Sequence, residues 1–369
     1  MSTETPCGRL EDVRTFVCSA LLAAGTAEDP ARAVTDALTE ASMRGVDSHG
    51  IRLLTHYVRV VRGGRINPSA KLGFRQSGPG TGIVDGDNGF GHYASYLAID
   101  RCMDLARATG VGAVSVVNSS HFGAAGCYVL RGAAKDFVAI GTCNSDSFVL
   151  LHDGTAPFHG TNPLTFAAPV PGERPLLVDL ATSVIPLNRV QDLRMKQLPM
   201  PPDVAVDQGG EPTLDPGQCA ALLPLGGLLY GYKGAALASI AEVLSAVMTG
   251  MPYCKRLLPL SGTDISTHRH LGHFFIAIDP SRFVPRELYD TAMRGYLRDL
   301  RSQPARARKR VMAPGDREWE IERLRGLHGI PISEPLENDF NLLASELKIP
   351  RLKVTLAKVS TSHDSAFAL

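Results

Sequence analysis

Apolar residues recur at helical spacing at the start of the chain. Leu10, Val13, Val17 and Leu21, flanked by Phe16, predict an amphipathic helix over residues 8–26. Val34, Leu38 and Ala41 mark the apolar face of a second over residues 28–44, with Pro30 near its first turn, where a missing N–H costs nothing. A third, over residues 51–61, carries Leu53, Leu54, Tyr57, Val58 and Val61 and is closed by Gly63-Gly64 and Pro68. Near residue 75 the pattern changes. Short apolar runs at 82–85, 113–117, 138–143, 164–168, 176–180 and 274–278 predict strands, and residues 91–108, 124–135 and 234–248 predict helices. Such alternation specifies an α/β domain. Residues 199–217 are rich in Pro, Gly and Asp and read as loop. Charged helices return at 285–302, 318–328 and 337–348. The expected organisation is a discontinuous helical domain (1–70 plus 282–369) around a continuous α/β domain (75–280).

Composition narrows the class. With 369 residues, 44% hydrophobic and 20% charged, the chain has room for two globular domains. A formal net charge of +1 gives no electrostatic footprint for nucleic acid or an anionic membrane. No apolar run reaches the roughly 18 residues of a membrane span. Met1 to Pro6 is polar and lacks the apolar core of a secretion signal. The seven cysteines are scattered without a Cys-x-x-Cys pair, as expected of free thiols in a reducing cytoplasm.

Two nucleotide motifs fail their tests. Gly89-Phe-Gly91-His-Tyr-Ala94 has nearly the glycine spacing of a dinucleotide fingerprint and lies between a strand and a helix. The following strand, however, ends in Asn118-Ser119-Ser120, where an acid should hold the ribose. The bland reading, a glycine turn that starts a helix close to a strand, is preferred. Gly226 to Lys233 is not a phosphate-binding Walker loop, because Tyr232 separates Gly231 from Lys233 and Gly234 follows the lysine.

Several constellations carry chemistry instead. His49 in Asp47-Ser48-His49-Gly50 sits at a predicted helix start, where Asp47 or Ser48 would cap and backbone N–H groups favour an anion. Histidine is the usual proton carrier near neutral pH. His121 follows a strand in Asn118-Ser-Ser-His-Phe-Gly-Ala-Ala-Gly126, whose small residues let a ligand approach the backbone. Arg52, one turn from His49, would clamp a carboxylate, and Tyr57 would add a hydroxyl. The alternative for Arg52 and Tyr57 is a solvated helix face. Gly160-Thr-Asn-Pro163, Asp179-Leu-Ala-Thr-Ser183 and Gly231-Tyr-Lys-Gly234 offer hydroxyls, N–H groups or a cation at element ends. No tight metal-ligand spacing unites His268, His270 and His273 with Asp264 and Asp279, so no metal is expected. A serine hydrolase is disfavoured: Ser48 and His49 are adjacent, and Gly-x-Ser-x-Gly is absent.

Taken in order, these segments resemble the malate/L-lactate dehydrogenase family of non-Rossmann oxidoreductases. That family also includes ureidoglycolate, sulfolactate and diketogulonate enzymes and Δ1-piperideine-2-carboxylate reductases. Leu223-Pro-Leu-Gly-Gly227, Gly272-His-Phe-Phe-Ile-Ala-Ile-Asp279 and Pro314-Gly-Asp-Arg-Glu-Trp319 complete the match, which covers residues 10–348. The resemblance implies an α/β fold with a non-Rossmann, mixed-sheet dinucleotide-binding domain, NAD or NADP as cofactor, and a homodimer with the site near the interface. It implies acid/base work by His49, with Ser48 beside it, or by His121, and a proton-donating role for Asp179 in the imine-reducing branch. Cofactor contacts are implied for Ser145, Thr161, Val178, Asp179, Leu180, Ala181, Thr182, Ser183, Val184, Lys233, Gly234, Pro314, Gly315 and Asp316. This chain departs from the family at Leu53, where many members carry the substrate arginine, and in the run Val184 to Val190. No role is assigned to residues 353–369.

The expected function is hydride transfer to and from a small 2-oxo or 2-hydroxy acid. The rivals are a cyclic imino acid (Δ1-piperideine-2-carboxylate or Δ1-pyrroline-2-carboxylate) reductase and a non-catalytic dinucleotide-binding protein.

Overall fold

The computed structural model describes residues 2–260 and 262–360. Helices α1 (Leu10–Ala23), α2 (Glu28–Met43) and α3 (Leu54–Arg62) form on the predicted apolar stripes. Their buried faces share one core with residues from near the far end of the chain, among them Phe340, Leu343 and Leu347. Phe16 and Phe340 meet with ring centroids 5.1 Å apart.

The helix expected from residue 51 starts later, at Leu54. It is preceded by two 3-10 turns, Asp47–His49 and Ile51–Leu53. Gly50 between them is extended, and a Cβ there would stand 2.1 Å from Ser42 Oγ. That hydroxyl accepts the Ile51 N–H at 3.0 Å, so close approach to α2 interrupts the helix. The expected Asp47 or Ser48 cap is therefore absent: neither side chain caps the turn, and the Asp47 carboxylate goes to Arg325 instead.

The centre is a seven-stranded mixed sheet. Its strands are β1 (Gly73–Gly78), β2 (Thr81–Asp85), β3 (Val111–Ser119), β4 (Val138–Cys143), β5 (Leu164–Ala168), β6 (Leu176–Leu180) and β7 (Leu271–Ile278). The spatial order is β1-β2-β3-β7-β4-β5-β6. Only β2 and β3 in this sheet pair in parallel, through the crossover helix α4 (Gly91–Thr109); the other neighbours are antiparallel. A doubly wound sheet needs a run of parallel strands, so this is a mixed, non-Rossmann sheet. Gly91 also has a structural purpose, since a Cβ there would lie 2.2 Å from Ser120 O and 2.8 Å from His121 O. The glycine lets α4 begin directly beneath the loop that carries His121.

Helix α5 (Gly126–Ala133) packs beside α4 on one sheet face. Helix α6 (Leu187–Met195) was not foreseen. Only Val190 and Leu193 are buried on it, too few positions to display a period. Helix α7 (Gly227–Glu242) continues into a π turn at Val243–Val247. Helix α8 (Arg286–Arg301) packs through Leu297 against Ala168 and Leu176 on β5 and β6, apart from the helical core. Helix α9 (Asp316–His328) leads to α10 (Glu334–Leu347), which returns to the helical core.

Among the strands not anticipated are two far apart in sequence. Ser2–Gly8 and Val354–Ser360 pair antiparallel, so part of the tail left without a role closes a sheet with the start of the chain. Backbone ladder bonds hold this pair, and little alternation of apolar residues announces it. Residues 361–369 of that tail lie outside the described residues.

Candidate functional site

A cavity of about 470 Å³ opens where the two turns before α3, the β3–α5 loop, the ends of β4 and β6, α6 and the first turn of α9 converge. Ser48, His49, Arg52, His121, Ser145, Thr161, Asp179 and Ala181 line it. Segments far apart in sequence thus meet at one place.

The two histidines form its most organised part. Their rings stack with centroids 5.8 Å apart and an interplanar angle of 28°. His49 Nδ1 lies 2.8 Å from Ser48 Oγ, and His121 Nδ1 lies 2.6 Å from Tyr57 Oη. With each Nδ1 engaged, Nε2 is the nitrogen left for other partners. Burial, reinforced by the Arg52 charge, pushes the His49 imidazole down to about 4. Burial drives His121 well below the ordinary histidine value, helped by His49 and His92. Both rings are neutral at pH 7 in the unliganded protein.

Tyr57 departs from its expected substrate contact. Its side chain is fully buried beneath His121, and it does not line the cavity. Burial holds its phenol protonated, so the hydroxyl can donate to His121 Nδ1 and fix that ring. His92, also fully buried, packs edge-on to Tyr57 at 5.0 Å. It lies close beneath Gly123, whose added Cβ would come 2.8 Å from His92 Nε2; Gly123 also has φ +70°.

Asp179, at the end of β6, accepts the Gly126 N–H at 2.9 Å at the start of α5. Burial raises its carboxyl to about 6, against the opposing pull of that N–H and of Arg44. Ser145 Oγ and Thr161 Oγ1 lie 3.2 Å apart on the same side.

Other expected contacts do not line the cavity. The Thr182 hydroxyl is buried and donates to Thr161 O at 3.0 Å. Ser183 Oγ donates to Ile185 O, and Val184 joins a small separate core. Val178 packs toward α8, and Leu180 is exposed. Lys233 Nζ lies 5.2 Å from the Tyr230 ring centroid. Gly234 is required by the backbone, since a Cβ would lie 2.3 Å from Leu225 N. Pro314 O accepts the Leu177 N–H, Gly315 has φ +95°, and Asp316 pairs with Arg301 at 2.7 Å.

The site also contains residues that the sequence reading passed over. Arg189 and Asp192 of α6, and Arg317 and Glu318 of α9, line the cavity. Asp192 Oδ1 lies 3.4 Å from Arg52 Nη1, and Asn188 Nδ2 donates to Ser48 O at 2.9 Å. For α6 the available signal is the charged residues of 187–195; Arg317 and Glu318 lie in the segment Pro314 to Trp319 that carries the resemblance.

The family model for malate/L-lactate dehydrogenase matches residues 9–341. A malate dehydrogenase of Pyrococcus abyssi is 32% identical over 351 residues, covering 93% of this chain and 96% of that protein. A ureidoglycolate dehydrogenase (NAD(+)) of Escherichia coli K12 is 31% identical, covering 88% of this chain and 92% of that protein. Among solved structures, a malate dehydrogenase from Entamoeba histolytica superposes with a TM-score of 0.88 at 30% identity, covering 95% of this chain and 99% of the other.

Proposed function

Because this chain belongs to the malate/L-lactate dehydrogenase family of oxidoreductases, we propose that it interconverts a small 2-hydroxy acid and its 2-oxo acid with NAD or NADP. The observation that carries this reading is the stacked pair of neutral imidazoles beside a guanidinium in one cavity. The cavity suits the reactive end of a nicotinamide dinucleotide beside a small acid: it is of ligand size, the Ser145 and Thr161 hydroxyls line it, and its floor is the small-residue run Gly123 to Ala125. When bound, the cofactor supplies or accepts the hydride at the carbon bearing the substrate oxygen.

The protein's own residues handle the rest. His49 is the proton carrier. In the oxidation direction, its Nδ1–H donates to Ser48 Oγ, and its bare Nε2 takes the substrate hydroxyl proton. A substrate carboxylate bound at Arg52 in the same cavity would bring an anion close to His49, which favours the imidazolium as the proton is transferred. His121, held well below the ordinary histidine value by burial and fixed by Tyr57, serves as a neutral hydrogen-bond partner for the substrate oxygen. Asp179 orders the α5 start beside it through Gly126.

The test is a panel of pyruvate, oxaloacetate and a cyclic imine with NADH and NADPH, followed by absorbance loss. Reduction of a 2-oxo acid is expected to dominate. Turnover of the cyclic imine alone, or cofactor binding without any turnover, would replace this reading with one of its rivals.

The same reading includes a homodimer. Leu228, Leu229, Tyr230, Tyr232 and Ile240 on α7, with Val247 and Met248 beyond it, are exposed apolar residues; Leu229 is 77% accessible. So many exposed apolar side chains along one helix favour an interaction surface there. Light scattering is expected to give twice the chain mass, and L229E to give a monomer.

A further inference from the structure

Arg52 and Asp192 lie 140 positions apart in sequence, and both line the cavity. Their single contact is 3.4 Å long, and the side chains are 31% and 28% exposed. A firm guanidinium–carboxylate bond is about 2.7–2.9 Å and is often bidentate. The site holds such a bond elsewhere: Asp47 meets Arg325 through two contacts of 2.6 and 2.8 Å. The Arg52 pair is thus long, partly exposed and one-pronged, with most donors of the guanidinium unmatched among the described residues.

Asp192 stands on α6, whose buried residues Val190 and Leu193 pack on a small core with Val149, Met200 and Val204. Besides the Arg52 pair, Asn188 to Ser48 O is the polar contact that ties α6 to the segment bearing His49.

We propose that Asp192 is a built-in stand-in for the substrate carboxylate: it holds and neutralises Arg52 between turnovers, and the incoming acid takes its place, freeing that end of α6. This rests on the 2-oxo acid reading given above. Asp192 is a positioning residue, acting through Arg52. It makes acid binding an exchange of one carboxylate for another, so the cavity is not left with an uncompensated cation. A neutral molecule cannot make that exchange.

The proposal is tested by a double-mutant cycle and by proteolysis. R52Q is expected to raise KM for the acid about ten- to a hundred-fold, the scale of a lost charged hydrogen bond. D192N is expected to lower KM about two- to five-fold, the scale of a partly exposed ion pair, with the change falling on KM rather than kcat. In the R52Q background, D192N is expected to have no effect on KM. A rise in KM for D192N, or an equal effect in both backgrounds, would overturn the proposal.

Oxamate, a carboxylate analogue that is not reduced, supplies a readout independent of turnover. In the presence of reduced cofactor it should speed trypsin cleavage after Arg189 and Arg194 in the wild type. D192N should be cut rapidly with or without it. Slower or unchanged cleavage of the wild type with oxamate would show that α6 is not released. If oxamate speeds cleavage but no 2-oxo acid is reduced, the functional reading falls while the exchange at Arg52 stands.

Discussion

The two walls of the cavity are built differently. On one, Tyr57 and His92 lie in packed interior beneath the half-buried His121, and the turn that carries His49 is pinned by the two contacts between Asp47 and Arg325. On the other, α6 is half exposed and reaches the first wall through a long ion pair and one amide bond. The difference separates two tasks. A proton carrier must be held to within a fraction of an ångström. The side that admits and releases substrate must yield, and segments with few buried contacts are the ones that open at low cost.

Substitutions on the two walls should therefore fail in different ways. The largest effect is expected from His49→Ala, a fall of about 10²–10⁴ in kcat with cofactor affinity little changed in a fluorescence titration. Wild-type turnover would remove His49 from the chemistry. Asp47→Asn comes next. Replacing charged hydrogen bonds at the near-buried Arg325 should cost about 1.5–3 kcal/mol in urea unfolding, together with turnover, because the His49 turn loses its anchor. An unchanged midpoint would mean that the rigid wall is held by other means.

Asp179→Asn should show a smaller effect with a distinctive pH dependence. The native carboxyl, raised to about 6 from 3.8, binds its proton more tightly than the unfolded chain does. Its contribution to stability is therefore complete below about pH 4 and is lost as pH rises through about 6. The asparagine variant should be more stable than wild type at pH 7–8 by on the order of 1–2 kcal/mol, with the gap closing below pH 4. A gap that does not vary with pH would contradict the burial of this carboxyl. Tyr57→Phe is expected to give the smallest stability change, about 1 kcal/mol. It should also lower kcat, because His121 loses the partner that fixes its tautomer. Loss of stability without loss of turnover would reduce Tyr57 to a packing residue.

The sequence announced the rigid wall more fully than the yielding one. Helical stripes predicted α1 to α3, and the small residues around His121 marked a loop open to a ligand. The failed fingerprint was informative too, because Gly91 serves the loop crossing above it. The sequence offers the Tyr57 hydroxyl to substrate because its helix is legible there and the sheet loop that covers it is not. Lys233 and residues 314–316 carry recognisable motifs, yet here they face neighbouring backbone, tyrosine rings or Arg301. Helix α6 stayed hidden because it buries only two residues, so its role comes from charges whose partner lies 140 residues away.

The placement of β7 has a consequence for how the protein is made. This strand lies between β3 and β4 and pairs along both, from Ile278 beside Val111 and Val138 to His273 beside Val116 and Cys143. During synthesis, residues 111–143 leave the ribosome more than a hundred residues before Leu271 does. Until then β3 and β4 each present an unpaired edge, the kind of surface that invites wrong partners. The His121 loop and the Ser145 side of the cavity are carried on those two edges, so the site cannot be assembled before the last strand of the sheet arrives. Non-local pairing of this sort slows folding, and the longer those edges stay open, the more opportunity there is for wrong pairing.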